Sequence, residues 1–329
     1  MSTTKKPKQK MNAGQWVGVL IYLLIGAACG LLIMMFLDQA ESAGMPLSMR
    51  LLSMALLFVA MYAAMALQIA IHEAGHLLFG LLTGYRFCSY RVFSLMWIND
   101  GGRIRFKRMS VAGTGGQCLM APPELADGRM PVMLYNFGGA ILNAATALLF
   151  LGLCFLFPAR SLGWVICAFF AVIGLAFALM NGLPLRVGAV NNDGRNALEL
   201  SRSAEATRAF WVQMKANSES ARGVRLRDMP EEWFSVPSDE AMQNGIIATV
   251  GVLACDRLMD QQCFPEADAL TARLLSQPSG IAGLHRNLML CNRIYLELIG
   301  ENRPEVLDAM RTDELLKTKI GRASCRERV

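Results

Sequence analysis

Apolar positions crowd into the first 185 residues and fall into four stretches, each long enough to cross a bilayer, which takes about 20 apolar residues. They run over 16–37, 51–82, 132–157 and 162–185. The second is interrupted only by Gln68 and the His72/His76 cluster; the fourth carries Asn181 and Pro184 near its end. Between the second and third lies a polar connection holding two short strand-like runs, 90–98 and 103–111. The Asn99-Asp100-Gly101-Gly102 sequence between them is a strong hairpin signal. An edge strand there offers pairing to an extended peptide, or is a plain capping hairpin. From 196 onward the pattern turns polar with helical periodicity, predicting amphipathic helices over 197–218, 239–260, 265–276, 284–299 and 304–317. The segment from Cys263 through Leu275 resembles one helix of a tetratricopeptide-type hairpin, with one or two such units at most. The expected fold is an all-α polytopic membrane protein with about four transmembrane helices and a small β-hairpin in the middle loop (85–111). A C-terminal helical soluble domain of tetratricopeptide-like character follows over 196–319.

Composition sharpens this picture. The 329 residues are 54% hydrophobic and 18% charged, too apolar for an ordinary soluble protein. The net charge is +6, but no basic cluster interleaves with aromatics, which argues against a nucleic-acid groove. Instead the positive charge sits in loops. Four Lys lie in the basic arm at 1–15, and Arg86, Arg91, Arg103, Arg105, Lys107, Arg108 and Arg129 lie in the middle connection. The other two connections carry little: Asp38, Glu41 and Arg50 in one, Arg160 in the other. The positive-inside rule then puts both termini and the middle connection in the cytosol, with His72, His76 and Pro184 at the cytosolic ends of their spans. An uncleaved first span in a bacterial plasma membrane fits this layout. Nine cysteines without a C-x-x-C pair read as small reduced residues, Cys29, Cys154 and Cys167 inside spans. The last ten residues, IGRASCRERV at 320–329, look like the translation of a common sequencing-library adapter. They are read as a non-native tail on a chain cut short near Lys319.

The chemistry concentrates in His72-Glu73-Ala74-Gly75-His76, which fits His-Glu-x-x-His. Residues i and i+4 of a helix share a face about 6 Å apart along the axis, so both imidazoles can bind one ion. Zinc suits nitrogen ligands with an open fourth position. Glu73 sits close enough to accept a proton from water and pass it to a leaving amine. The alternative is two packing histidines on an apolar helix, but three ionisable groups within five residues of a membrane-depth helix mark a functional site. Two histidines leave the site one ligand short. His285 lies in the soluble part and reads as a surface or core residue. Asp193 falls at the same membrane face and is the better third ligand; its competing role is a helix N-cap. Asn143, after Gly138-Gly139, and Asn181 are candidates to hold a substrate backbone or oxyanion.

Together these pieces resemble the site-2 protease family of intramembrane zinc metalloproteases. The resemblance rests on His72-Glu73-x-x-His76, Gly139-x-x-x-Asn143 and Asn181-x-x-Pro184 leading to Asp193-Gly194, and covers about 51–195 of a membrane domain at 16–195. It implies one zinc ion on His72, His76 and Asp193, Glu73 as catalytic base, and Asn143 and Asn181 positioning substrate. The family often has Leu before the Asp and only a few residues after the Pro; here eight intervene and Asn192 precedes Asp193. No PDZ-like insertion and no CBS-like pair is legible.

The expected activity is hydrolysis of a peptide bond in or near the membrane segment of a small membrane protein or leader peptide. The helical domain is expected to recruit substrate or a protein partner. The alternative is a non-catalytic membrane scaffold or receptor on a protease-like frame; a third reading is a metalloenzyme acting on a lipid amide.

Overall fold

The structure is a computed structural model that describes residues 13–110, 114–187, 190–312 and 315–316. The start of the basic arm and the 320–329 tail lie outside the described residues. The chain divides into two compact units, Met1–Thr83 with Val132–Leu198, and Gly84–Pro131 with Glu199–Val329.

The first unit is helical. Its four long helices are α1 (Ala13–Ser42), α2 (Leu47–Leu82), α3 (Met133–Cys154) and α4 (Leu162–Gly182). All four are long and apolar enough to cross a membrane. At 1.5 Å per residue, α3 and α4 match the ~30 Å hydrocarbon layer, whereas α2, with 36 residues, is about 54 Å long and exceeds it. Their ends follow local chemistry. Gly44 takes positive φ in the turn between α1 and α2, and Pro46 precedes α2. Ser161 caps α4 by accepting from the Trp164 N–H. Outward positions such as Leu23, Leu31, Leu52, Val59, Leu148 and Leu175 are exposed apolar side chains, as a lipid-facing surface requires.

Two kinds of packing hold the bundle. Cys29, Phe36 and Ala40 of α1, Leu57 and Ala64 of α2, and Val165, Phe169 and Ile173 of α4 make one apolar core. Cys154 and Cys167 pack as small residues between α3 and α4. Where α2 crosses α3, backbone meets backbone. A Cβ on Gly75 would lie 2.2 Å from the Gly138 carbonyl oxygen, and one on Gly138 would lie 2.5 Å from that of Gly75. Small residues at such a crossing let helices approach far closer than Leu permits. After α4 the chain makes a small antiparallel pair, Arg186–Val187 with Val190–Asn191, and enters α5 (Asp193–Arg202).

The second unit contains more β-structure than the expected hairpin. Its antiparallel sheet has four strands, β1 (Arg86–Val92), β2 (Leu95–Asp100), β3 (Arg103–Arg108) and β4 (Gly116–Ala121), in the order β3-β2-β1-β4. The turn falls where the sequence puts it: Asp100 pairs with Arg103, and Gly101 and Gly102 both take positive φ, as a type I′ loop demands. The run 90–98 is not one strand. It turns back at Phe93–Ser94, with Val92 paired to Leu95 and Phe93 at φ 52. Buried Arg91 stabilises the sheet's end by donating to the carbonyls of Phe93 and Gly116.

Helices α6 (Ala204–Ala221), α7 (Gly245–Asp260), α8 (Phe264–Ser276), α9 (Gly283–Ile299) and α10 (Pro304–Met310) pack each chiefly on its neighbours in sequence. The sheet joins them: Trp211 donates to the Pro123 carbonyl and Lys215 pairs with Glu124. The expected helix 197–218 is interrupted, because Ser203 leaves the helical region and caps α6 through the Ala206 N–H. Asn244 likewise starts α7 later than the pattern suggested, accepting from the N–H groups of Ile246 and Ile247.

Gly75→Ala is expected to force α2 and α3 apart and lower stability by roughly 1–3 kcal/mol. Gly152→Ala on α3, where an added methyl meets nothing within 4 Å, is expected to be neutral. Thermal unfolding of both variants in detergent checks the pair; equal melting points would mean the helices do not cross this closely.

Candidate metal centre

His72 and His76 lie one helical turn apart on the buried face of α2, at 9% and 8% exposure. The glycines of α3 let that face be covered closely: a Cβ on Gly139 would fall 2.4–2.7 Å from atoms of the His72 ring. The rings meet edge to face at 4.8 Å between centroids. Each is oriented through its Nδ1. His72 Nδ1 is 2.8 Å from Asn143 Oδ1, and His76 Nδ1 is 2.8 Å from the Tyr135 carbonyl oxygen. A carbonyl oxygen only accepts. The Asn143 amide is turned this way because its Nδ2 donates to the backbone oxygen of Gln68 at 2.9 Å and to Gln68 Oε1 at 2.6 Å. Both Nδ1 atoms therefore carry protons, so that each imidazole in its neutral form presents a lone pair at Nε2.

A carboxylate from α5 completes the group. Leu183, before Pro184, is extended and ends α4. The segment that follows is fastened by Asn192. Its Oδ1 accepts from the N–H groups of Leu185 and Arg195, and its Nδ2 donates to the carbonyls of Met180 and Leu183. Asn192 is thus the cap of α5, which leaves the Asp193 carboxylate available. Gly194 presses on the end of α4, where a Cβ would lie 2.2 Å from the Gly182 oxygen. Asp193 Oδ2 then stands 3.0 Å from His72 Nε2 and 3.4 Å from His76 Nε2, and the two Nε2 atoms are 3.1 Å apart. Where an Nε2 carries a proton in place of a metal ion, it bonds to Asp193, and that bond with the imidazolium charge outweighs burial and holds the carboxyl well below the usual carboxylate range. Two lone pairs and one anion converge on a single point. These three residues are a group that can hold a metal ion.

The other expected residues fall as follows. Glu73 is half-buried on the same turn of α2. Asn143 is fully buried at the Nδ1 side of His72, opposite the edge that faces Asp193 and His76. Asn181 donates its amide to the Phe177 carbonyl one turn back on α4. His285 lies on α9 in the second unit, where burial lowers its pKa. Two residues of the centre escaped the sequence reading in their roles. Gln68 was visible only as a polar break in a span, although it stands one turn before His72. Asn192 was visible only as a departure from a familiar pattern. No family model matches the chain, and no curated protein or solved structure matches it either.

Asn192→Ala is expected to cost about 1–2 kcal/mol, the scale of a lost helix cap with further backbone bonds. Asn192→Asp, which keeps the two accepting interactions, is expected to cost less. Chemical unfolding in detergent checks the order; equal losses would remove the capping interaction from the explanation.

Proposed function

We propose that this chain is an intramembrane zinc metalloprotease, one that hydrolyses a peptide bond in or near the membrane segment of a small membrane protein or leader peptide. One observation carries the reading: the lone pairs of His72 and His76 and the Asp193 carboxylate face one another at 3.0–3.4 Å beside Glu73. Four-coordinate zinc with arms of about 2.0–2.1 Å spaces its ligand atoms by about 3.3–3.4 Å, and the three spacings lie within about 0.4 Å of that. A single shared proton serves one edge of such a triangle well, whereas a central cation serves all three. The resemblance of His72-Glu73-x-x-His76, Gly139-x-x-x-Asn143 and Asn181-x-x-Pro184 with Asp193-Gly194 to the site-2 protease family supports the same assignment.

Bound there, zinc supplies Lewis acidity, acidifying water and polarising a peptide carbonyl. Glu73 takes up the proton that the attacking water releases and returns it to the leaving amine, so that hydroxyl ends on the acyl carbon and hydrogen on the nitrogen. Asn143 and the Tyr135 carbonyl keep both imidazoles aimed during this exchange. Asn181 is assigned to the substrate side, where its backbone adjoins Gly194. A helical substrate satisfies its own carbonyls and must unwind locally before one is open to attack. Loop charges put the site end of α2 at the cytosolic surface of a bacterial plasma membrane. The helical second unit, with its tetratricopeptide-like segment, is assigned to recruiting substrate or a protein partner.

Glu73→Gln is expected to lower cleavage of co-expressed membrane substrates by about 10²–10⁴-fold while stoichiometric zinc is kept; fragment mass spectrometry and metal analysis read the two quantities. Unchanged biological activity in this variant would favour the scaffold instead. Purified protein without stoichiometric metal, or metal retained after both histidines become alanine, overturns the proposal. Substrates with helix-breaking residues near the cut are expected to be cleaved faster than rigidly helical versions; equal rates would remove the unwinding step.

A further inference from the structure

We propose that Gln68 is a positioning residue of the metal centre, fixing through Asn143 which nitrogen of His72 is presented to the ion. The proposal rests on the reading that His72, His76 and Asp193 hold a metal. Gln68 stands four residues before His72 on α2 and is 0% exposed, in the interior of an apolar span. An amide there is costly unless its atoms are engaged. Two neighbouring helices engage it. On the α3 side, Gln68 Oε1 accepts from Asn143 Nδ2 at 2.6 Å. On the α4 side, Gln68 Nε2 donates to the Phe170 carbonyl at 3.3 Å. Gly174 of α4 makes the room, since a Cβ there would lie 2.7 Å from Gln68 Nε2.

The consequence runs through the orientation of one amide. Asn143 Nδ2 has two hydrogens: one goes to the backbone oxygen of residue 68, which any side chain there would leave in place, and the second to Gln68 Oε1, which this side chain alone supplies. The amide oxygen is left facing His72 Nδ1. Turned over, Asn143 would direct an N–H at that nitrogen. His72 would then carry its proton on Nε2, pointing into the Asp193–His76 triangle where the ion needs a lone pair. The Phe170 carbonyl, which only accepts, keeps Gln68 from turning its own amide over. The polar chain from Phe170 to His72 therefore has one self-consistent arrangement, and that arrangement is the ligating one.

The test uses the full chain in detergent, stripped of metal and titrated with zinc against a chromophoric chelator. Gln68→Met, close in shape but apolar, is expected to weaken zinc binding by about 10–100-fold, the range for an outer partner of a ligating histidine. Apo-protein melting is expected to fall as well, because one Asn143 N–H loses its acceptor, so zinc affinity is compared at a temperature where both apo-proteins are folded. Gln68→Glu, neutral at this depth with a carbonyl for Asn143 and a hydroxyl for Phe170, is expected to restore most of the affinity. The decisive arm is Asn143→Asp: a carboxylate offers oxygen to His72 whichever way it turns, so adding Gln68→Met to it is expected to cost little further affinity. Equal zinc affinity in wild type and Gln68→Met overturns the proposal, as does an equal loss with and without Asn143→Asp; both leave the metal centre standing. Wild type that binds no zinc overturns the metal centre and this proposal with it.

Discussion

Inside a hydrocarbon layer each unpartnered polar atom costs several kcal/mol, and the polar side chains of α2 meet much of that demand on α3, with Phe170 of α4 taking the Gln68 amide hydrogen. His72 gives its Nδ1 proton to Asn143, His76 gives its own to the Tyr135 carbonyl, and Gln68 receives the Asn143 amide. All of these partners sit on α3. They are in range because Gly75 and Gly138 meet backbone to backbone and Gly139 leaves space for the His72 ring. Close approach, the partners of the two Nδ1 atoms and the direction of the Nε2 edges are thus one feature: widening the helix crossing by the thickness of a methyl group would disturb all three.

The third arm is built differently. Two imidazoles come from one rigid helix, but the carboxylate arrives on a segment held by side-chain bonds to loop and helix-end backbone. Asn192 joins α4's end to α5's start, with four side-chain hydrogen bonds to four residues. A leucine there would leave those backbone groups to find other partners. The longer spacing after Pro184 and the Asn before Asp193 therefore belong together: the extra residues form the small antiparallel pair, and Asn192 pins its base.

Features of short range were legible in the sequence. The i, i+4 spacing of His72 and His76, the four apolar stretches and the Gly101-Gly102 loop each depend on a few adjacent residues, and each stands close to where the pattern put it. Long-range relations were not legible. β4 has no alternation strong enough to announce a strand, and it is one because β1 offers it an edge. The break at Ser203 hides inside an unbroken helical pattern, since a serine in mid-helix and a serine cap look alike without coordinates. The sequence likewise gives the Asn143 amide no direction. Its neighbours Gln68 and His72 supply that direction from 75 and 71 positions away.

The distance along the chain between the two halves of the centre has a bearing on biogenesis. His72 and Asp193 are 121 positions apart. A ribosome adding about 5–20 residues per second incorporates His72 some 6–24 s before Asp193. Throughout that interval the nascent chain holds two of the three side chains, so the order of translation by itself puts completion of the group after all four long helices have been synthesised.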